Sequence, residues 1–516
     1  MYYSSKSKHE TDPWFLVTLL VVGLCILLYF AKKKLSYFKN LGIPYLPGWP
    51  ILGNMSGPVF RTKHFTEVVR EIYNVSSEAK YVGAFDFNNE VIVVRDPELI
   101  KDVTIKHFDH FMDHKSIIDA SLDPLFGGSL FNITGEKWRE ARNLLSPAFT
   151  SSKMKGMFEL MVACGEDLVA YLADHNKING KMVETKELFT KYTNDVIATC
   201  VFGMKVNSLD DPKNLFYVYG LEATNFAKMT FKFLLARLSP TLLRWLNIRL
   251  VRKEIADFFE SIVKKTVEMR DEKGISRPDI LQLLMDARGR EGSKLKLDFT
   301  EITAQIFVFF FAGFETTSTQ MSLIAHELAT NPDVQRKLQH EIDDVLRDTN
   351  GKMTYEAINK MLYLDAVFNE SIRLHTQVPF IDRICIKSYE LPPALPECKP
   401  LTIKPGNSIW IPAAGIHKDP RYYDNPDTFN PDRYYEKKVS INDVENLGFG
   451  IGPRGCIGNR FAILETKILL FTILSKFNLK PNNKTSKPLQ YDKVPSKRLE
   501  NVNFKNDLRS VFDIVK

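Results

Sequence analysis

The sequence has few cysteines for its length, six in 516 residues, and they are scattered. Positions 25, 164, 200, 385, 398 and 456 contain no Cys-x-x-Cys pair and no close framework spacing. This excludes a disulfide scaffold or a zinc module as the organising feature and fits a reducing compartment. There is no Pro/Ser/Gly-rich internal linker, internal repeat or low-complexity tract, so the interior reads as one large globular unit. The net charge of +7 is modest, its basic residues lie among acidic ones, and no RNA- or DNA-binding motif appears. Nucleic acid is therefore a poor partner, and a diffuse basic excess suits a membrane surface or an acidic protein better. Long apolar runs are scarce. One, Trp14 to Ala31, is about 18 residues long, near the lower limit for crossing a bilayer, and Lys32-Lys33-Lys34 closes it. A cleaved signal would have a shorter apolar region and a small-residue cleavage site, so a retained anchor is expected. Lys32, Lys33, Lys34 and Lys39 follow it against Lys6 and Lys8 before it, which leaves the body cytosolic.

What is present is a hydrophobic content of 44%, with 12% aromatics, enough for a substantial core. The chain divides into an anchor with its basic stop (residues 1–34), a proline-rich linker (35–54) and a catalytic body (55–516). Pro44, Pro47 and Pro50 prevent the anchor helix from continuing through that linker. Tyr81 to Phe87 and Glu90 to Val94 predict a small strand pair, with Asn88-Asn89 at the turn. The remainder of the body has a mainly helical pattern. The longest run, Thr300 to Ala329, has Thr300 as its candidate cap and Asn331-Pro332 as its end. Within it, Ile306 to Phe314 is apolar on every side and too short to span a membrane, so it reads as core.

Two stretches carry chemistry. In Phe449-Gly450-Ile451-Gly452-Pro453-Arg454-Gly455-Cys456-Ile457-Gly458, one cysteine sits between glycines and opens a helix from Asn459. Unpaired N–H groups and the positive end of the helix dipole there favour a thiolate, a soft metal ligand. Glycines 452, 455 and 458 leave room for a flat cofactor, and Phe449 can shield the sulfur. In Ala312-Gly313-Phe314-Glu315-Thr316-Thr317, an acid and two hydroxyls lie in an apolar helix. A hydroxyl bonded back to the carbonyl of Ala312 would open a kink beside Gly313. Trp138 and Arg142, four apart on a helix, can converge on one anionic group.

The spacing Phe-x-x-Gly-x-Arg-x-Cys-x-Gly resembles the haem-binding loop of the cytochrome P450 family, and the other stretches are similar to that family's motifs in the same order. The resemblance implies a mainly α fold with a minor β region, a single-span N-terminal membrane anchor, and haem b held by the Cys456 thiolate. It places Trp138, Arg142, Arg383 and Arg454 on the haem propionates and Phe449 beside the sulfur. His114 and Lys115 are looser candidates there. Glu315 and Thr316 are given oxygen activation and proton delivery. Glu370, Arg373 and Arg433 are expected to form a structural triad, and His417 is assigned no role. Val308, Phe311, Ala312, Phe126, Val378 and Phe380 are candidates for the substrate wall.

The implied activity is monooxygenation of hydrophobic small molecules. Electrons would come from an NADPH-dependent flavoprotein reductase, with cytochrome b5 as a further partner and Lys137 and Arg139 as candidate contacts. Location on the cytosolic face of the endoplasmic reticulum membrane is implied. Residues 311–318 and 145–150 look most like insect microsomal members linked to xenobiotics, with endogenous lipid or hormone oxidation as the alternative. Two rival readings are a haem-thiolate enzyme that rearranges peroxides or dehydrates oximes, and a non-enzymatic haem carrier or gas sensor. NADPH consumption with reductase separates both from a monooxygenase. Two departures stand out. Prolines usual in the family after Arg373-Leu374 are replaced here by His375-Thr376-Gln377, and the polar segment 484–516 lacks the family's Gly-rich apolar hairpin.

Overall fold

The computed structural model describes residues 13–514 apart from 117, 119, 175–182, 226–231, 233–234, 237–238, 289–297, 436–442, 445, 482–484, 486–488 and 490–508. The principal helices, in chain order, are α1 (Pro13–Leu35), α2 (Gly135–Leu145), α3 (Ser151–Ala173), α4 (Thr185–Cys200), α5 (Lys253–Lys273), α6 (Phe299–Thr330), α7 (Pro332–Asp348), α8 (Leu362–Leu374) and α9 (Asn459–Leu474). The strands are β1 (Tyr81–Asp86), β2 (Asn89–Val94), β3 (Val183–Glu184), β4 (Ile381–Ile384), β5 (Tyr389–Leu391), β6 (Leu401–Ile403), β7 (Ser408–Ile411), β8 (Phe477–Pro481) and β9 (Arg509–Ile514).

α6 is the axis of the helical body. Its N-cap is Asp298, two residues before the expected Thr300. The Asp298 carboxylate accepts from the Glu301 N–H at 2.7 Å, and the Glu301 side chain accepts from the Asp298 N–H. That reciprocal box needs an acid three residues after the cap, which Asp298 has and Thr300 does not. From Ile302 to Ala329 nearly every residue of α6 is buried, packed against α4, α5, α8 and α9. Phe259 of α5 meets Phe307 and Phe310 of α6 edge-on or tilted, at centroid distances of 5.3 and 5.0 Å, which fixes the rotation of α6 in the core. α3 closes the bundle against α4 and α9.

The β region is the expected minor one. β1 and β2 pair antiparallel in register Tyr81↔Val94 to Asp86↔Asn89, so the turn is Phe87-Asn88, one residue earlier than predicted. The sheet continues β1-β2-β7-β4, with β2 and β7 parallel. β8 and β3 pair with β9, while most of the polar segment 484–516 lies outside the described residues. α1 covers the expected anchor and exposes Trp14, Phe15, Val21, Tyr29 and Phe30. Among the described residues no helix is long and apolar enough to cross a membrane.

One buried acid makes a pH prediction. Glu465 of α9 is fully buried, and neither carboxyl oxygen has a hydrogen-bond partner among the described residues, so burial pushes its pKa well above the ordinary range. The folded protein then holds this proton more tightly than the unfolded chain. The stability this contributes is complete below the unfolded pKa, about 4, and is lost as pH rises towards the folded value. Glu465→Gln, which cannot ionise, is expected to gain melting temperature relative to wild type as pH rises from about 4 to about 8. Thermal melts across that range check the sign of the trend.

Candidate active site

The cysteine loop is shaped by its glycines. Gly450 and Gly452 have φ of 75° and 74°, and a Cβ on Gly452 would collide with the Thr104 carbonyl oxygen. The Cys456 N–H donates to the Phe449 carbonyl at 2.7 Å, and that of Gly455 to Gly452 at 2.9 Å. Phe449 stacks on Phe368 of α8, ring centroids 5.9 Å apart and planes 7° from parallel. α9 begins at Asn459 with Gly458 as its N-cap. The Gly458 N–H reaches the sulfur, and Arg142 lies close enough to favour its charged form, yet desolvation outweighs both and raises the thiol pKa. The thiolate-favouring surroundings expected from the sequence are thus present but insufficient alone; a metal's own charge supplies the difference when it binds. Cys456 is nonetheless exposed. A side chain both accessible and dominated by desolvation opens onto interior space, not onto the outer surface.

α6 presents a second opening. Between buried neighbours, Ala312 and Thr316 are exposed and Gly313 is partly so. The Thr316 hydroxyl donates back to the Ala312 carbonyl at 2.6 Å, as the sequence suggests, while the helix remains continuous through Gly313. Gln305 of α6 accepts from the Leu130 N–H at 2.8 Å and donates to the Gly128 carbonyl at 2.9 Å. The same 128–133 loop accepts from Arg454 through the carbonyl of Ile133 at 3.1 Å. One loop therefore ties the region of the cysteine loop to α6 at Gln305.

Cations without enough anions surround that region. Arg383 is fully buried, its Nε has no partner among the described residues, and burial lowers its pKa to about 10, with Asp382 the opposing charge. Arg454 falls to about 9, mainly through burial and only partly offset by Asp113 at 3.2 Å. Its guanidinium lies 3.9 Å from the centre of the Trp138 ring, and Arg142, one turn along α2, donates to the Gly455 carbonyl at 2.8 Å. His114 is held by Asp382 at 2.9 Å and Lys115 by Asp86 at 3.3 Å. A desolvated arginine whose Nη1 and Nη2 bond, among the described residues, only to the carbonyls of Asp382 and Ile451 and whose Nε is unpartnered, beside a second depressed one, is what a pair of carboxylates on a flat cofactor would satisfy. These residues fit haem.

Other predicted residues separate. Glu315 is buried against Lys186 of α4, 3.0 Å away, and Lys186 also donates to Ser318 at 2.7 Å. Ala312 and Val378 are open, Phe311 packs edge-on against buried Phe126 at 5.5 Å, Val308 is buried, and Phe380 lies on Trp410 at 4.0 Å. Glu370 accepts from Arg373 at 2.7 and 2.8 Å and from Arg433 at 3.0 Å, so the triad forms. Sequence reasoning missed Lys186 and His417. The latter is fully buried; its Nε2 accepts from the Leu447 N–H at 3.0 Å, so Nδ1 carries the proton facing Thr376, 2.7 Å away. Burial and Arg373 hold its pKa near 3, and it keeps the start of the cysteine loop in place as a neutral ring.

The family model described as cytochrome P450 matches residues 43–502. The chain belongs to the cytochrome P450 family. It is 45% identical over 488 residues to cytochrome P450 9e2 of Blattella germanica, covering 89% of this chain and 91% of that one. It is 36% identical to probable cytochrome P450 9f2 of Drosophila melanogaster, covering 92% and 95%. It is also 36% identical to probable cytochrome P450 6a18 of the same fly, covering 93% and 95%. This P450 is accordingly a haem-thiolate monooxygenase that uses O2 and electrons drawn from NADPH through a reductase.

Proposed function

We propose that this P450 oxidises hydrophobic xenobiotics such as plant toxins or insecticides, inserting one atom of O2 while the other leaves as water. The observation that carries the reading is the pair of openings in a buried interior, at Cys456 and on the Ala312/Thr316 face of α6. Haem supplies oxygen activation, and the thiolate ligand strengthens it by donating electron density. Cys456 is that ligand, with Phe449 shielding the sulfur. Arg383, Arg454, Arg142 and Trp138 would hold the cofactor by its carboxylates. Ala312, small and open, leaves room for substrate, and Val378, 52% exposed, gives it an apolar wall. Thr316, its own proton bonded back to Ala312, presents its hydroxyl oxygen to hold a proton at the open face. Glu315, paired with Lys186 beside Ser318, is the carboxylate that takes up a proton from water and passes it on.

Reductase and cytochrome b5 dock on the cysteine side. Lys137 and Arg139 there sit in exposed ion pairs with Glu301 and Asp109, at 2.9 and 2.7 Å, which an acidic partner can exchange at little cost. α1 anchors the chain in the endoplasmic reticulum membrane with residues 55–516 cytosolic, supported by its exposed apolar side chains and the lysines that end it. The test is reconstitution with NADPH and reductase in lipid against a panel of plant toxins, insecticides, lipids and hormones. Product from the first two groups is expected, and turnover confined to the last two would overturn the xenobiotic assignment. Release of the full chain from microsomes by alkaline carbonate would remove the anchor.

A further inference from the structure

The loop after α8, where the family's usual prolines are replaced, is a polar hub. His375 Nε2 lies 2.7 Å from Glu327 of α6, and Thr376 pairs with His417, which holds Leu447 at the start of the cysteine loop. Gln377 makes the contact of most consequence. Its amide donates to the Thr316 main-chain carbonyl at 3.1 Å and to Gln320 Oε1 at 3.0 Å, and Gln320 in turn donates to Ser371 of α8 at 2.9 Å. Both donations fall on the single turn of α6 that begins at Thr316. A proline at 377 would have no amide side chain to make either contact. The next residue, Val378, is 52% exposed.

We propose that Gln377 is a positioning residue for oxygen activation: by pinning the Thr316–Gln320 turn to the loop after α8, it fixes where the Thr316 hydroxyl stands at the open face. This rests on the proposed role of Thr316 in holding a proton there. In productive turnover the two electrons of NADPH and two protons leave one oxygen atom of O2 as water and the other in the product. With Thr316 displaced, the same electrons and protons leave as hydrogen peroxide with no substrate bond broken. Gln377 touches neither substrate nor cofactor in this scheme, and its effect passes through the helix turn.

The experiment compares wild type, Gln377→Met, Thr316→Val and the double variant as haem-loaded enzymes, with Gln377→Ala in reserve should the methionine variant not fold. Two quantities are read: product formed per NADPH consumed, and hydrogen exchange of the α6 peptide spanning residues 312–324, which does not depend on turnover. Gln377→Met removes both donations and is expected to speed exchange in that peptide by at least roughly fivefold, the scale of a single neutral hydrogen bond. It should also lower product per NADPH with matching peroxide release, while adding nothing to the defect of Thr316→Val. Faster exchange with unchanged coupling would make Gln377 merely structural and overturn the proposal, as would unchanged exchange. A further loss in the double variant would show that Gln377 acts by another route and overturn it too. Normal coupling in Thr316→Val would instead sink the reading of Thr316, and this proposal with it, whatever Gln377→Met does to exchange.

Discussion

Cys456→Ala is expected to abolish reductase-supported oxidation and to remove the ferrous–carbonyl absorption band that marks thiolate ligation, even where haem is still bound. No other cysteine can take its place. Cys200 is fully buried and its thiol is pushed far up by desolvation, and burial raises Cys164 to about 12, so neither is a thiolate. Cys385 is buried with its thiol turned to the Lys387 carbonyl at 3.0 Å, Cys398 faces that of Gly42 at 3.5 Å, and Cys25 belongs to α1. Only Cys456 combines an opening on the interior with Arg142 beside it and the Gly458 N–H on its sulfur. The variant keeps Arg383, Arg454 and Trp138, so it should retain some haem, and the spectrum then reports the ligand rather than the fold. A thiolate-type band surviving in haem-loaded Cys456→Ala would require the ligand to be sought elsewhere.

Much of this site is legible in the sequence because its parts are local. The cysteine loop works through glycines one to six residues from the sulfur, and Trp138 and Arg142 need only one helical turn to come together. Thr316 bonds to Ala312, four residues back, which any helix provides. What stayed hidden depends on partners brought together by the fold. Glu315 gives no sign in its own motif that it meets Lys186 on a different helix. His417 stands in a polar stretch and reads as a surface residue, but Thr376 and the Leu447 N–H satisfy both ring nitrogens and allow it to be fully buried. The cap of α6 is a different kind of miss: the Asp298-x-x-Glu301 box is written in the chain, and a competing hydroxyl at Thr300 obscured it. The loop at Gln377 announced itself as a departure from the family pattern, while its target on α6 required the fold.

Glu370→Ala is expected to be strongly destabilising, by about 3–5 kcal/mol, because it removes the acid from a buried cluster and leaves its cations behind. Glu370 is fully buried and accepts from Arg373 Nε and Nη2, Arg433 Nε and the Asn430 N–H, all within 3.0 Å. Arg373 is itself 1% exposed, and its remaining bonds run to the carbonyls of His417, Pro426 and Thr428, which carry no compensating charge. A loss of this size is a large part of the margin a folded domain has, about 5–15 kcal/mol. The damage should also be directional. Arg373 holds His417 by its carbonyl, and His417 holds Leu447, so loosening the triad loosens the approach to Cys456. Purified Glu370→Ala should therefore carry less haem per chain and unfold at lower denaturant than wild type. Arg433→Met, which removes a cation 14% exposed and leaves the Glu370–Arg373 pair intact, should lose distinctly less. Equal losses in the two variants would mean that net charge at the cluster matters more than the paired carboxylate. Wild-type stability in Glu370→Ala would show that the triad does not hold this side of the haem site together.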